Sequence, residues 1–206
     1  MYALVIDETI TKYFSYPKGF TLGDLQYPKD IFMKWSVEEK EAIGIYEVVY
    51  DNSNFKDEKW YINTNQSFAF ANDTVTASYG TATAKAHADT TWSQDDEDAG
   101  LLPSDKSVND IKTRGLKYNL IQTLKLQVAG ILNDTDWYIT RNAEKSTAIP
   151  SAISTHRDAV RTKQASMETA ITNASDTPAL ETLYTYTRDS DGVQSRPLGE
   201  LPTLEI

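Results

Sequence analysis

The sequence predicts an α+β fold: a small β-rich N-terminal module with one short helix, a linker, and a C-terminal helical hairpin with a short third helix and an extended tail. Three observations predict it. Short apolar and aromatic runs broken by Gly, Pro, Asn and Asp fill residues 1–79, which is the composition of strands and turns. Residues 80–106 are small, polar and acidic, with no firm period. From Val108 onward the apolar residues recur at steps of three and four, the spacing of an amphipathic helix. The expected segments are 1–79 (module), 80–106 (acidic linker), 107–187 (hairpin with the added helix) and 188–206 (tail).

In the module, Tyr2-Ala3-Leu4-Val5-Ile6 reads as a strand, and Thr9 to Phe14 can pair with it as a hairpin. Residues 15–30 carry Pro17, Gly19, Gly23 and Pro28 and read mostly as loop. Ser36-Val37-Glu38-Glu39 is a capping box, in which the Ser oxygen accepts a free backbone N–H and Glu39 reaches back to the cap. Trp35 can staple onto that first turn, and Gly44 sits where a left-handed C-cap belongs. Ile45 to Tyr50, Lys59 to Ile62, Ser67 to Ala71 and Val75 to Tyr79 have strand composition. Phe68 and Phe70 share one face.

The acidic run Asp95, Asp96, Glu97 and Asp98 is not a calcium loop, because its acids do not alternate and no glycine makes the turn. It reads as solvated linker. Trp92 beside it is out of place in a free linker and suggests that the segment is pinned. In the C-terminal half, Val108, Ile111, Leu116, Leu120, Ile121, Leu124, Val128, Ile131 and Leu132 mark one long helix, with Gly115 inside it at a cost of about 1 kcal/mol. Leu126 falls off the stripe. A polar loop leads to a second helix that opens on Pro150 and carries Ile153, Val160, Met167 and Ile171 in line, with His156 on the same face. His156 has no evident catalytic partner and reads as a core-edge histidine. A third helix begins after Asp176 with Pro178 in its first turn. Leu198, Leu201, Leu204 and Ile206, interleaved with two prolines, form neither helix nor lone strand. They read as an extended apolar tail held by a neighbouring surface.

Bulk composition narrows the function classes. The 206 residues carry a net charge of −10, which disfavours nucleic acid and repels an anionic membrane surface. No apolar run approaches a membrane span, and the N-terminus lacks the basic start and long apolar middle of a signal peptide. Cysteine is absent, so disulfides, thiolate nucleophiles and cysteine metal sites are excluded together. Synthesis in a cytoplasm is the simplest expectation. Twelve Tyr and four Trp mean that much of the buried surface comes from rings with a polar tip, a type favoured at interfaces.

Residues 132–161, LNDTDWYITRNAEKSTAIPSAISTHRDAVR, resemble the C-terminal region of tailed-bacteriophage tail fibre assembly and tail-associated proteins. In that family a leucine-rich helix leads to a Thr-Asp-Trp element, a polar loop, a proline, and a helix with an Arg-x-x-(Leu/Val)-Arg pattern. The matching positions are Leu132, Thr135, Asp136, Trp137, Pro150, His156, Arg157, Val160 and Arg161. The family pattern has Tyr before the first Arg, so His156 departs from it. The resemblance covers residues 122–165, and residues 35–48, WSVEEKEAIGIYEV, look like the front half of such proteins. It implies partners among tail or tail fibre subunits and a place in the virion tail, with self-association left open.

Physically, the expectation is a clasp. Trp137 fills the gap between two helices, Asp136 accepts from Arg157 or Arg161, and Thr135 or Asp134 caps the turn. Truncating a ring so placed costs about 3 kcal/mol. Neither a catalytic residue nor a cofactor or metal ligand is expected. The leading reading is a non-enzymatic virion component, with a transient fibre-assembly chaperone as the alternative. From other classes stand a glycan depolymerase, which needs two carboxylates set apart in a cleft, and a carbohydrate-binding adaptor using Trp60, Tyr61, Phe68 and Phe70.

Overall fold

The computed structural model describes residues 1–204. The expected tail residue Ile206, with Glu205, lies outside the described residues. The fold is α+β, and the chain divides into two compact units, Met1–Thr83 and Ala84–Ile206.

The first unit is built on a five-stranded sheet of order β2-β1-β5-β8-β7, with β1 at Tyr2–Ile6, β2 at Thr9–Phe14, β5 at Ile45–Asp51, β7 at Gln66–Ala71 and β8 at Thr74–Tyr79. All neighbours run antiparallel except β5 and β8, which are parallel. Both two-residue hairpin turns use left-handed backbone, at Asp7 and Glu8 and at Asn72 and Asp73, the geometry that matches strand twist. The sheet curls until its edge strands meet, with Tyr13 of β2 packed on Phe68 of β7 at 4.8 Å between ring centroids.

Strand alternation sorts β1 into two cores. Ala3 and Val5 pack with Val48, Val75 and Ala77 on one face, where Phe68 and Phe70 join them. Leu4 packs on the other face with Phe14, Phe20, Ile31, Phe32 and Ile45. Burial on both faces accounts for the unbroken apolar run of β1. The capping box forms as expected, with Ser36 accepting from the Glu39 amide and Glu39 accepting from the Ser36 amide, and it opens α2 (Val37–Glu41). Gly44 adopts φ +76°, and a Cβ there would run into the Val5 carbonyl.

Residues 15–30 are mostly loop as read, but they hold a short hairpin, β3 (Phe20–Leu22) with β4 (Leu25–Tyr27), and lead into a single helical turn, α1 (Ile31–Lys34). Phe20 stacks on Tyr27 at 5.2 Å and both join the Phe14–Phe32 cluster, so tertiary packing overrides the weak local propensity. The strand expected at residues 59–62 is only β6, Tyr61–Ile62.

The second unit begins before the expected hairpin. After β9 (Thr83–Ala84), which straddles the division, come β10 (Thr90–Thr91), α3 (Gln94–Asp98) and β11 (Ile111–Thr113). The segment 80–106 is therefore not simply a solvated linker, because β10 pairs with β11 and the acidic run forms a capped helix. The long helix α4 spans Leu116–Asn133 and does not start at Val108. Residues 108–115 instead serve the β10–β11 pair and the helix entry, with Gly115 as the extended N-cap. A Cβ at Gly115 would collide with the Ala88 carbonyl. The stretch expected as a polar loop holds a helix, α5 (Asp136–Lys145), before α6 (Ser151–Asn173) and α7 (Thr177–Tyr184). The stripe on α6 is buried as read, through Ile153, His156, Val160, Met167 and Ile171, and it packs along Leu124 and Val128 of α4. Beyond α7, a short hairpin of β12 (Thr187–Arg188) and β13 (Gln194–Ser195) precedes the tail.

Candidate functional site

The corner where α4 ends and α5 begins is held by a cation from α6. Arg157 is 7% exposed. Its Nη1 donates to the Leu132 carbonyl at 2.7 Å and to Thr135 Oγ1 at 2.6 Å, and its Nη2 donates to Asp136 Oδ1 at 2.8 Å. The Leu132 carbonyl belongs to the last turn of α4, where acceptors lack intrahelical partners and the helix dipole favours a cation. Asp136 opens α5, where the dipole favours an anion. One guanidinium thus joins two helix ends through its fixed fork of donors. Thr135, also buried, completes the corner by donating to the Leu132 carbonyl.

Trp137 is not the wedge that the clasp required. It is 51% exposed on α5, so no buried indole closes the two helices. Arg157 and Thr135 occupy the corner instead. The expected pairing of Asp136 with Arg157 forms; Arg161 does not take part and lies exposed near Asp158 at 3.7 Å. Pro150 is the exposed N-cap of α6.

On the outer side of α5, Trp137 lies against Tyr138 with ring centroids 4.0 Å apart. The guanidinium of Arg141, one turn on, sits 4.6 Å from the Trp137 centroid and 5.5 Å from that of Tyr138. Ile139 of the same helix is also exposed. Three side chains are thus preassembled into a platform of Trp, Tyr and Arg, and stacking holds the rotamers that binding would otherwise have to freeze. The signal for it was a Trp-Tyr pair followed by Arg at helical spacing, obscured because the segment read as loop.

His156 and the tail meet elsewhere. Leu201 and Leu204 are half-buried and Leu198 is 3% exposed. Leu201 and Leu204 line a cavity of about 240 Å³ with Ile131, Thr135 and His156. The surface that holds the tail is the unit's own α4–α6 pair. The His156 side chain makes no hydrogen bond to another described residue and sits at the edge of the core, 8% exposed. Trp60 and Tyr61 are buried and Phe68 and Phe70 pack into the sheet core, which withdraws these rings from a sugar-binding surface.

Among the described residues no group of three or more His, Asp or Glu side chains is placed to hold a metal ion, and no helix is long and apolar enough to cross a membrane. Comparison with protein-family models, curated proteins and solved structures gives no match.

Proposed function

We propose that this chain is a non-enzymatic component of a tailed-bacteriophage tail that works through protein–protein contacts with tail or tail fibre subunits. The docking part rests on one observation, the Trp137–Tyr138–Arg141 platform on α5, in which an exposed Trp137 ring is backed by half-buried Tyr138 and Arg141. Trp, Tyr and Arg are the residue types in which interface binding energy concentrates, and here they are pre-ordered by mutual stacking. The viral setting rests on the resemblance of residues 122–165 and 35–48 to phage tail-associated proteins.

The test is co-expression with candidate tail and fibre subunits, followed by capture on the full chain. Wild type is expected to retain at least one such subunit. A variant with Trp137→Ala, Tyr138→Ala and Arg141→Ala is expected to keep the melting temperature within a few degrees and lose the capture. Retained capture by that variant removes α5 from the interface, and no capture by wild type removes the tail reading. Mass spectrometry of purified particles separates the two roles, since stoichiometric presence marks a component and absence marks a chaperone that leaves.

A further inference from the structure

We infer that the α4–α6 groove accepts the tail of a second copy of this chain in place of its own. Residues 196–204 have no regular secondary structure, yet they are seated on the helices. Leu198 is buried, and its amide donates to the Leu183 carbonyl at 3.0 Å. Glu200 accepts from Tyr186 Oη at 2.6 Å and pairs with Arg196 at 2.7 Å, a clasp near solvent. Leu201 then lies between two cavities. One is the 240 Å³ space beside His156; the other, of about 400 Å³, is lined by Gln127, Ile131, Met167, Arg196 and Glu200. The tail therefore leaves two clefts beside it open to solvent, and the packing contacts it does not make there weaken its hold.

The connector is built to let go. Residues 185–195 are all exposed, and the β12–β13 hairpin within them pairs only two residues on each side, too few to be stable alone. A connector of that length reaches up to about 36 Å when extended, enough to carry Leu198 to the groove of an adjoining molecule. The occupant is specified by identity, since the second copy's tail makes the same contacts that this chain's tail makes now. Exchange therefore costs little beyond association. Reciprocal exchange closes a dimer, and one-way exchange links copies in series. Neither route needs another viral subunit.

The chain has no native cysteine, so single introduced thiols report only the intended pair. Ile131 and Leu201 line both cavities together. One copy carries Ile131→Cys, a differently tagged copy carries Leu201→Cys, and the mixture is oxidised mildly and run without reductant. A tail tethered in cis has an effective concentration on the order of 1 mM, so the mixed disulfide is expected to rise about tenfold between about 0.05 and 0.5 mM protein. Leu126→Cys, on a face 75% exposed, paired with Leu201→Cys is the collision control and is expected to stay low. The double variant in one chain should close within the monomer at low concentration. A mixed disulfide no greater than the control, with the internal one forming, overturns the exchange. Failure of the internal disulfide also overturns it, because the tail is then not on Ile131.

Discussion

Arg157 shows how much one side chain can carry when it replaces several caps. Its removal leaves the Leu132 carbonyl and Thr135 hydroxyl without their shared donor in a buried corner. Arg157→Ala is expected to destabilise the second unit by about 2–3 kcal/mol, measured by urea denaturation. Arg157→Lys should recover only part of this, because an ammonium cannot reproduce the fork. Arg161→Ala, which removes an exposed pair at 3.7 Å, should change stability by no more than about 0.5 kcal/mol. Trp137→Ala should cost no more than about 1 kcal/mol, since only an exposed ring and its contacts with Tyr138 and Arg141 are lost. The residue types at this corner were visible in the sequence. Their ranking was not, because a tryptophan letter carries no information on which side of a ten-residue helix faces inward.

At the scale of elements, the entry to α4 is tightly constrained. The free amides of its first turn are taken up by chain far upstream, with Leu116 N–H donating to the Ala86 carbonyl and Lys117 N–H to that of His87. Such closeness leaves no room for a side chain at Gly115. Gly115→Ala is expected to lower stability by more than about 2 kcal/mol through forced displacement. Gly130→Ala, inside α4 with nothing within 4 Å, should raise it by about 0.5–1 kcal/mol; thermal melts of the two variants settle both signs.

The same segment has an acid limb. Lys112 donates to Asp96, and the Ser93 amide and hydroxyl add to it, holding that carboxyl down to about 2. The Gly115 amide and then Arg114 lower Asp89 in the same direction. A carboxyl lowered in the folded state contributes stability that is present above its unfolded value, near 3.9, and is lost as pH falls through the folded one. The β10–β11 region should therefore loosen between about pH 4 and pH 2. Trp92 reports it directly, with Lys112 Nζ 4.5 Å from its ring. Its emission is expected to shift across that window, and Asp96→Asn should bring the shifted emission up to neutral pH.

For the whole molecule, the division falls between Thr83 and Ala84, and the acidic stretch belongs to the helical unit. Thr177, at the start of α7, donates to the Lys85 carbonyl at 2.6 Å, and β10 pairs with β11. A fragment of residues 107–206 lacks these ties and the acceptors for Leu116 and Lys117. It should be less stable than a fragment of residues 84–206 by at least about 3 kcal/mol, from the lost backbone hydrogen bonds alone, as read by chemical denaturation of the two.

By itself the sequence determined the α+β class, the pairing of β1 with β2, the Ser36 capping box, the left-handed Gly44 beyond α2 and the buried line on α6. Each is written within a few residues, in alternation, helical period, or the match between a side chain and the nearest free backbone group. Only the tertiary structure decided that the apparent linker is structural, that Gly115 stands outside the helix, and that Arg157 takes the corner and leaves Trp137 to solvent. Those outcomes depend on backbone carbonyls 25 and 92 positions away from their donors, as with Leu132 for Arg157 and Lys85 for Thr177. Every residue carries the same carbonyl, so nothing in the lettering marks which of them a distant donor will reach.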